Sequence, residues 1–297
     1  MKKTTLLKKL ILDEEILVMP GAYDALSARI VELAGFKTVT MGGYAASAAL
    51  LAKPDVSLLT LTEMVNQTRY IVDAVDIPVF VDGDTGHGNA TNVARTVKEF
   101  ENAGAAGLFI EDQVFPKRCG HMEGKQVISV DEMIIKIKAA VDARSDDDFI
   151  IMARTDALAV YGIDEAIERG NLYREAGADV IFIEAPHSID DMRRINREVK
   201  APTSANMVEG GKTPILSAKE LQDLGYSIAT YPLSSLYAAA WGVRMVIQEL
   251  SNKGTTSGYM DRMVTFSDFN KLVGLEEIRA KEVYYYKNLF DKLKMNQ

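Results

Sequence analysis

A phrase that recurs along the chain constrains its fold more than any other feature: the end of a helical pattern, a glycine, and then a short apolar run. The clearest copies are VELAGFKTVTM, ENAGAAGLFIED and REAGADVIFIEA, and QDLGYSIATYP is a weaker one. A glycine directly after a helix can adopt the left-handed conformation that ends helices. A short apolar or β-branched run is typical of a fully buried strand. The phrase therefore predicts the joint of a repeating helix–strand unit.

Eight such strands are expected. Their apolar runs begin near Ile16, Lys37, Val79, Gly107, Phe149, Val180, Thr203 and Ser227, with patterns of helical period between most of them. Eight strands alternating with helices in 297 residues favour an α/β fold of the (β/α)8 TIM-barrel type. An open doubly wound sheet usually has fewer strands and a glycine-rich turn after the first. We predict one barrel domain over residues 1–297, with residues 252–297 as a C-terminal helical extension that packs on a partner subunit.

The charge balance and the single cysteine exclude several classes of function. Lys and Arg number 34 against 42 Asp and Glu, a net charge of −8, so the chain should repel nucleic acid. No apolar run approaches the length of a membrane span, and acidic residues from Asp13 to Glu15 interrupt the N-terminal one. Cys119 has no other cysteine to pair with. We expect a cytoplasmic protein that binds neither nucleic acid nor membrane.

Acidic side chains gather at the predicted strand ends, where barrels of this type carry their reactive groups. Asp82 and Asp84 follow the third strand, Glu111 closes the fourth and Glu184 closes the sixth. Four carboxylates at one mouth would repel each other unless a cation lay among them. Several carboxylate oxygens suit a hard ion such as Mg²⁺ or Mn²⁺. The set favours a metal site, although any one of these acids could instead cap a helix or pair with a lysine.

A long connection, residues 112–129, separates the fourth strand from the next helix and contains the only cysteine. Most connections of this kind have only a few residues, so this one is expected to act as a lid over the site. Cys119 is flanked by Lys117, Arg118 and His121. These cations are expected to lower its pKa and favour a reactive thiolate or a proton donor. A buried inert cysteine, a zinc site with His121, and hydrolase chemistry with His121 as the base are the alternatives.

An ordered series of motifs over most of the chain resembles the isocitrate lyase and phosphoenolpyruvate mutase superfamily. The motifs are PGAYDALSAR, GGYAASAALLAKPD, VDGDTGHGN, IEDQVFPKRCGHMEGK, MARTDA, FIEAP, ANMVEGGKTP and YPLSSLYAA. The resemblance implies a barrel whose eighth helix is exchanged between the subunits of a homodimer or homotetramer. It also implies Mg²⁺-dependent chemistry, for which Mn²⁺ can substitute, on a small hydroxy- or oxo-carboxylate.

The resemblance further implies a role for individual residues. Asp82 would bind Mg²⁺ directly, and Asp84 and Glu111 would hold it through water. The catalytic set would be Cys119, on a mobile gate, with His121, Arg154 and Glu184. The substrate-binding set would be Gly42, Gly43, Tyr44, Asp55, Gly120 and Asn206. Many relatives have Ser-Gly where this chain has Gly42 and Gly43, so one hydroxyl contact to the substrate carboxylate is lost here.

Two further features favour one activity within the superfamily. The KRCGH motif is typical of the lyases of this superfamily. Methylisocitrate lyases resemble this chain but carry an arginine in the helix after the YPLS segment, at the position of Tyr237. Because a tyrosine cannot neutralise a third carboxylate as a guanidinium does, we expect a dicarboxylate substrate. A substituted malate such as 2,3-dimethylmalate would be cleaved into a 2-oxo acid, pyruvate or glyoxylate, and a short carboxylate.

Other activities stay open at this point. Carboxyvinyl-carboxyphosphonate phosphorylmutase is the nearest alternative, followed by methylisocitrate lyase and an oxaloacetate-acting hydrolase or decarboxylase. A metal-binding or regulatory barrel without turnover would be expected to lack catalytic side chains. Cys119, Arg154, Glu184 and Asn206 are all present in this chain.

Overall fold

The computed structural model describes the backbone of residues 1–295 and the side chains of residues 1–287. The described part of the chain contains eight parallel strands: β1 (Leu17–Pro20), β2 (Val39–Met41), β3 (Val79–Asp82), β4 (Gly107–Glu111), β5 (Ile150–Thr155), β6 (Val180–Ile183), β7 (Ser204–Asn206) and β8 (Ile228–Tyr231). Strands β2 to β6 form one sheet in sequence order, and β1, β8 and β7 form a second. Single parallel bridges, Gly21 with Thr40 and Ile181 with Thr203, join the two sheets at their edges. The strands therefore follow one another in the cyclic order of a (β/α)8 barrel, and the predicted fold class is confirmed.

Helices alternate with these strands. They are α1 (Lys3–Ile11), α2 (Ala25–Leu33), α3 (Gly43–Leu51), α4 (Leu61–Ala74), α5 (Ala90–Asn102), α6 (Val130–Ala143), α7 (Leu158–Tyr161), α8 (Ile163–Glu175), α9 (Ile189–Glu198), α10 (Ala218–Asp223), α11 (Ser234–Lys253), α12 (Phe266–Leu272) and α13 (Leu275–Met295), with a 3₁₀ turn at Ser257–Arg262. The glycine of each recurring phrase, Gly35, Gly104, Gly177 and Gly225, has a φ between 88° and 113°. The helix–glycine–strand joint inferred from the sequence is therefore present at all four positions.

The inside of the barrel is apolar at the end opposite to the strand carboxyl ends. Helix α1 buries Leu7 and Ile11 in a cluster that includes Met19, Phe80 and Phe182 from the strands. Lys8 and Thr5 of the same helix bind the Asp148 carboxylate. This apolar layer fills the barrel interior, so the open space lies at the carboxyl ends of the strands.

The chain divides into two compact units. The first, Met1–Tyr237, contains all eight strands, and the second begins at Ala238, within α11. The assignment of residues 252–297 to an extension that packs on a partner stays a prediction, and residues 296–297 lie outside the described part. No helix among the described residues is long and apolar enough to cross a membrane.

Candidate active site

A cavity of about 80 Å³ lies at the carboxyl ends of the strands. Most of the site residues inferred from the sequence line it: Gly42, Gly43, Tyr44, Asp55, Asp82, Cys119, Gly120, His121, Arg154, Glu184 and Asn206. Asp84 and Glu111 are buried but are not among its lining residues. Its floor and walls include Phe80, Phe109, Met152 and Phe182 from the barrel interior, with Val208 and Leu233 near the rim. A cavity of this size suits a small organic acid rather than a nucleotide or a peptide.

Two backbone amides fix the side chain of Asp82, which lines the cavity. Its Oδ1 accepts a hydrogen bond from the Asp84 amide at 2.8 Å, and its Oδ2 accepts one from the Gly43 amide at 2.8 Å. A Cβ atom on Gly43 would lie 2.9 Å from Asp82 Oδ2, so a larger residue there would press on this carboxylate. The Lys117 ammonium lies 3.9 Å from the same oxygen and 2.8 Å from Asp55 Oδ2. Lys117 therefore compensates the acidic cluster, a role that sequence reasoning missed.

Glu111 supports the metal hypothesis because its buried carboxylate is incompletely satisfied. None of the described residues donates a well-directed hydrogen bond to either carboxylate oxygen, although Arg154 Nη1 lies 3.1 Å from Oε2. Burial raises the pKa of Glu111 well above its usual range. Burial also raises the pKa of Asp84, and repulsion from Asp82 adds to this, against the opposing effect of Lys117. Buried carboxylates normally have hydrogen-bond partners, so the Glu111 oxygens could accept from a donor such as metal-bound water.

The described residues contain no group of three acidic, histidine or cysteine side chains that could hold a metal ion by themselves. Mg²⁺ does not need such a group, because it usually binds one or two carboxylates and takes its other ligands from water and substrate. Asp82 as the direct ligand, with Asp84 and Glu111 behind it, fits that requirement.

Arg154 lies at the centre of the site and contacts three carboxylates. Its Nε and Nη2 donate to the two oxygens of Asp156 at 3.0 and 3.1 Å. Nη2 also lies 3.0 Å from Glu184 Oε2, and Nη1 lies 3.1 Å from Glu111 Oε2. Burial alone would lower the pKa of Arg154, but these carboxylates raise it well above the usual range. The guanidinium is thus a fixed positive charge beside the cavity.

The connection from residue 112 to 129, called the gate loop below, crosses the cavity mouth. Gln113 pairs with Val127 at its base, and further along it the Cys119 amide donates to the Asp55 carbonyl at 3.2 Å. At Gly120 the backbone passes so close to Arg154 that a Cβ atom there would overlap the Arg154 and Glu184 side chains. The gate loop is therefore closed over the site.

His121 and Asn206 both face Glu184. The Lys212 amide donates to His121 Nδ1 at 3.0 Å, so the proton of the neutral imidazole lies on Nε2, which is 3.4 Å from Glu184 Oε1. Burial lowers the pKa of His121, which keeps the ring neutral. The Asn206 amide nitrogen lies 3.4 Å from each Glu184 oxygen. Glu184 is thus held between the gate loop, β7 and Arg154.

The expectation that neighbouring cations lower the pKa of Cys119 is wrong. Burial raises the pKa of this thiol to about 11, and the Glu184 carboxylate adds to the effect. The Lys117 side chain points to Asp55 instead, and the Arg118 guanidinium donates to the Glu123 carbonyl. A thiol that stays protonated in a cavity suits proton donation better than nucleophilic attack.

Tyr237 packs behind Tyr44 rather than on the cavity itself. The two rings meet edge to face, with centroids 6.4 Å apart and planes at 86°. Burial and a hydrogen bond to Tyr44 raise the pKa of Tyr237, so it stays neutral. This position therefore offers a substrate no positive charge.

Known proteins resemble this chain over nearly its whole length. A family model described as phosphoenolpyruvate phosphomutase matches residues 7–251. The 2,3-dimethylmalate lyase of Eubacterium barkeri is 53% identical over 94% of this chain and 96% of its own length. A crystal structure of a 2,3-dimethylmalate lyase, described as a PEP mutase/isocitrate lyase superfamily member, matches with a TM-score of 0.91 and 34% identity over 96% of each chain. Phosphonopyruvate hydrolase in complex with oxalate and Mg²⁺ matches with a TM-score of 0.88 and 31% identity, over 96% of this chain and 100% of that one.

The raised pKa of Cys119 predicts how its alkylation depends on pH. Only the thiolate reacts with iodoacetamide, so with a pKa of about 11 the rate should still rise steeply at high pH. An ordinary thiol with a pKa of about 8.5 would already have reached its plateau by about pH 10. The rate can be followed by mass spectrometry on the native protein, with urea-unfolded protein as the control. A half-maximal rate near the ordinary thiol pKa in the native protein would contradict the assignment.

Proposed function

Because this chain belongs to the phosphoenolpyruvate phosphomutase family, we propose that it is a Mg²⁺-dependent lyase that breaks a carbon–carbon bond in a substituted malate. The predicted membership of the isocitrate lyase and phosphoenolpyruvate mutase superfamily is confirmed, as is the prediction of an enzyme. The substrate class, the metal and the residue roles are the proposal. One observation carries it: a protonated thiol, Cys119, lines the same small cavity as Asp82 and Arg154.

The two ends of a dicarboxylate would meet different groups in this cavity. Helix α3 begins at Gly43, whose amide already binds Asp82, and the next amides of its first turn favour a carboxylate. Tyr44 follows β2, whereas Arg154 lies on β5 and Asn206 on β7, each three strands away from β2 around the barrel, and all three line the cavity. Glu184 and His121 hold the Arg154 side in place. The substrate would therefore lie between the start of α3 and Arg154, with its central carbons under the gate loop.

Asp82 would hold Mg²⁺, with Asp84 and Glu111 in support, and the ion would supply Lewis acidity that makes a substrate hydroxyl easier to deprotonate. Once the Glu184 carboxylate, which lines the cavity, accepts that proton, the bond between C2 and C3 breaks, C2 becomes the carbonyl carbon of the 2-oxo acid, and the electron pair stays on C3. Glu184 later gives its proton to solvent. Cys119 donates its proton to C3 and gives the short carboxylate. The closed gate loop keeps water from the carbanion, and solvent returns a proton to the Cys119 thiolate when the loop opens.

The walls of the cavity favour alkyl groups over a third carboxylate. Phe80, Met152 and Phe182 cover its floor, and Val208 and Leu233 are buried at its rim. At Tyr237 the chain has a neutral phenol where a guanidinium would be needed for a tricarboxylate. These contacts support a methyl-substituted malate, such as 2,3-dimethylmalate, as the substrate.

We also propose that the protein is a cytoplasmic homodimer or homotetramer formed by exchange of C-terminal helices. Helix α2 exposes a row of apolar side chains on one face, Leu26, Ile30 and Leu33. In the second unit Trp241, Val243, Ile247 and Leu250 are exposed on α11. Apolar rows of this extent usually mark a protein–protein contact, which a second copy of the chain would supply.

The substrate proposal predicts cysteine-dependent release of a 2-oxo acid. We would incubate the protein and Mg²⁺ with 2,3-dimethylmalate, citramalate, methylisocitrate, isocitrate and oxaloacetate, and follow 2-oxo acid formation. Release should be fastest from a substituted malate, and Cys119→Ser should slow it by at least about 100-fold, because a serine hydroxyl is a much weaker acid.

Equal turnover by Cys119→Ser would remove the cysteine from the mechanism. Release from methylisocitrate alone would show that Tyr237 does not exclude a third carboxylate. No release from any compound would favour the phosphorylmutase alternative, and carboxyvinyl-carboxyphosphonate would then be tested.

The metal proposal predicts that Asp82→Ala weakens Mg²⁺ binding by at least about tenfold, the loss that follows even from changes behind a metal ligand. Isothermal titration calorimetry with Mg²⁺ measures this directly. Asp73→Ala is the matched control, because Asp73 is exposed on α4. Unchanged affinity in a folded Asp82→Ala protein would contradict the ligand assignment.

A further inference from the structure

Lys125 is a buried lysine on the gate loop that takes no part in the reaction proposed above. Only 2% of its side chain is exposed. Its ammonium lies 2.8 Å from Asp156 Oδ1 and also donates to the Gly120 carbonyl. By contrast, Arg118 and Glu123 of the same loop are exposed. Burying an ammonium group in a connecting loop costs free energy, so the contact with Asp156 must compensate for it.

Asp156 shares its carboxylate between the gate loop and Arg154. Oδ1 accepts from both Lys125 Nζ and Arg154 Nη2, and Oδ2 accepts from Arg154 Nε. The Asp156 amide donates to Asp112 Oδ1 at 2.9 Å, which fixes the backbone at the end of β5. Asp156 is fully buried and is not among the cavity-lining residues. Its position suits a group that acts through Arg154 rather than on the substrate.

We propose that Lys125 and Asp156 are positioning residues that couple closure of the gate loop to the orientation of Arg154. With the loop closed, Lys125 neutralises part of the Asp156 charge, and the guanidinium can direct Nη1 and Nη2 toward Glu111, Glu184 and the cavity. When the loop opens, Lys125 leaves with it, and Arg154 alone must balance Asp156. The guanidinium then turns toward Asp156 and holds an anion in the cavity less well.

The charges around Arg154 determine whether loop closure strengthens or weakens the binding of an anion. In the closed site Glu111, Asp156 and Glu184 surround one guanidinium, and Lys125 adds a second cation. An anionic ligand therefore binds more favourably when Lys125 is in place. By reciprocity, a bound anion must favour the closed gate loop to the same extent. Product release would then favour loop opening, and loop opening would favour product release. This inference rests on the proposed function only for the identity of the anion.

The experiment uses Cys119 alkylation by N-ethylmaleimide as the probe of loop opening, with and without oxalate in the presence of Mg²⁺. Lys125→Met should be alkylated about tenfold faster than the wild type, within the usual range of coupling between two sites, and should lose most of the protection by oxalate. Lys125→Arg should restore part of that protection, because it keeps the charge. Arg118→Met removes a cation from the same loop without touching Asp156 and should behave as the wild type.

Loss of the contact between Lys125 and Asp156 should also affect KM and kcat differently. Lys125→Met should raise KM for the dicarboxylate about tenfold and lower kcat less, because anion binding depends on Arg154 while the thiol is unchanged. A purely structural role for Lys125 would instead lower the melting temperature and leave protection by oxalate intact.

Equal alkylation rates and equal oxalate protection in Lys125→Met and the wild type would overturn the proposal. If Lys125→Met does not fold, Lys125→Gln, which can still donate to Asp156, should show the same loss of protection to a smaller degree, and full protection in that variant would overturn the proposal too. The alkylation measurement does not require turnover, so it can succeed even if no tested compound is cleaved.

Discussion

The charge balance around Arg154 is the constraint on which the rest of the site depends. One guanidinium lies against Asp156, Glu111 and Glu184, which close three successive strands, β5, β4 and β6. Removing one partner from such a buried set would leave an uncompensated charge, which costs about 3–5 kcal/mol. These buried charges are therefore stable only while each has a partner of opposite sign. Glu111 and Glu184 can still accept hydrogen bonds from a metal-bound water or a substrate. The chemistry we propose uses the charges that this balance holds beside the cavity.

A second buried network, centred on Asp112, lies between the strands and the surrounding helices and supports the charges around Arg154. Asp112 follows Glu111, and successive residues of an extended segment face opposite sides, so Asp112 points to the helix layer. Its Oδ2 accepts from Thr155 Oγ1 at 2.7 Å, Tyr173 OH at 2.8 Å and Arg169 Nη1 at 3.1 Å. Arg169 also donates to the Ile128 carbonyl at the end of the gate loop. The base of the loop is therefore fixed to the same strands that carry Glu111 and Arg154, so only the part above it needs to move.

Sequence reasoning recovers those parts of the structure that follow from local patterns. The glycine of each recurring phrase ends a helix, and the acids Asp82, Glu111 and Glu184 end or follow strands, because both facts depend on neighbours along the chain. The direction of a side chain in an irregular loop does not. Lys117 precedes Cys119 by two residues but faces Asp55, so it does not offset the burial that raises the pKa of the thiol. Lys125 likewise has no sequence neighbour that indicates a buried side chain, because its partner, Asp156, lies 31 residues further along the chain.

The central claim is that Cys119 gives its proton to the carbon released by bond cleavage. The most direct test is to run 2,3-dimethylmalate cleavage in heavy water with Mg²⁺ and analyse the propionate by NMR and mass spectrometry. If Cys119 donates the proton, propionate from the wild type carries one deuterium at C2 and forms with pyruvate in equal amount, and Cys119→Ser forms both products much more slowly. Propionate formed without deuterium, or formed at the same rate by both proteins, would contradict it.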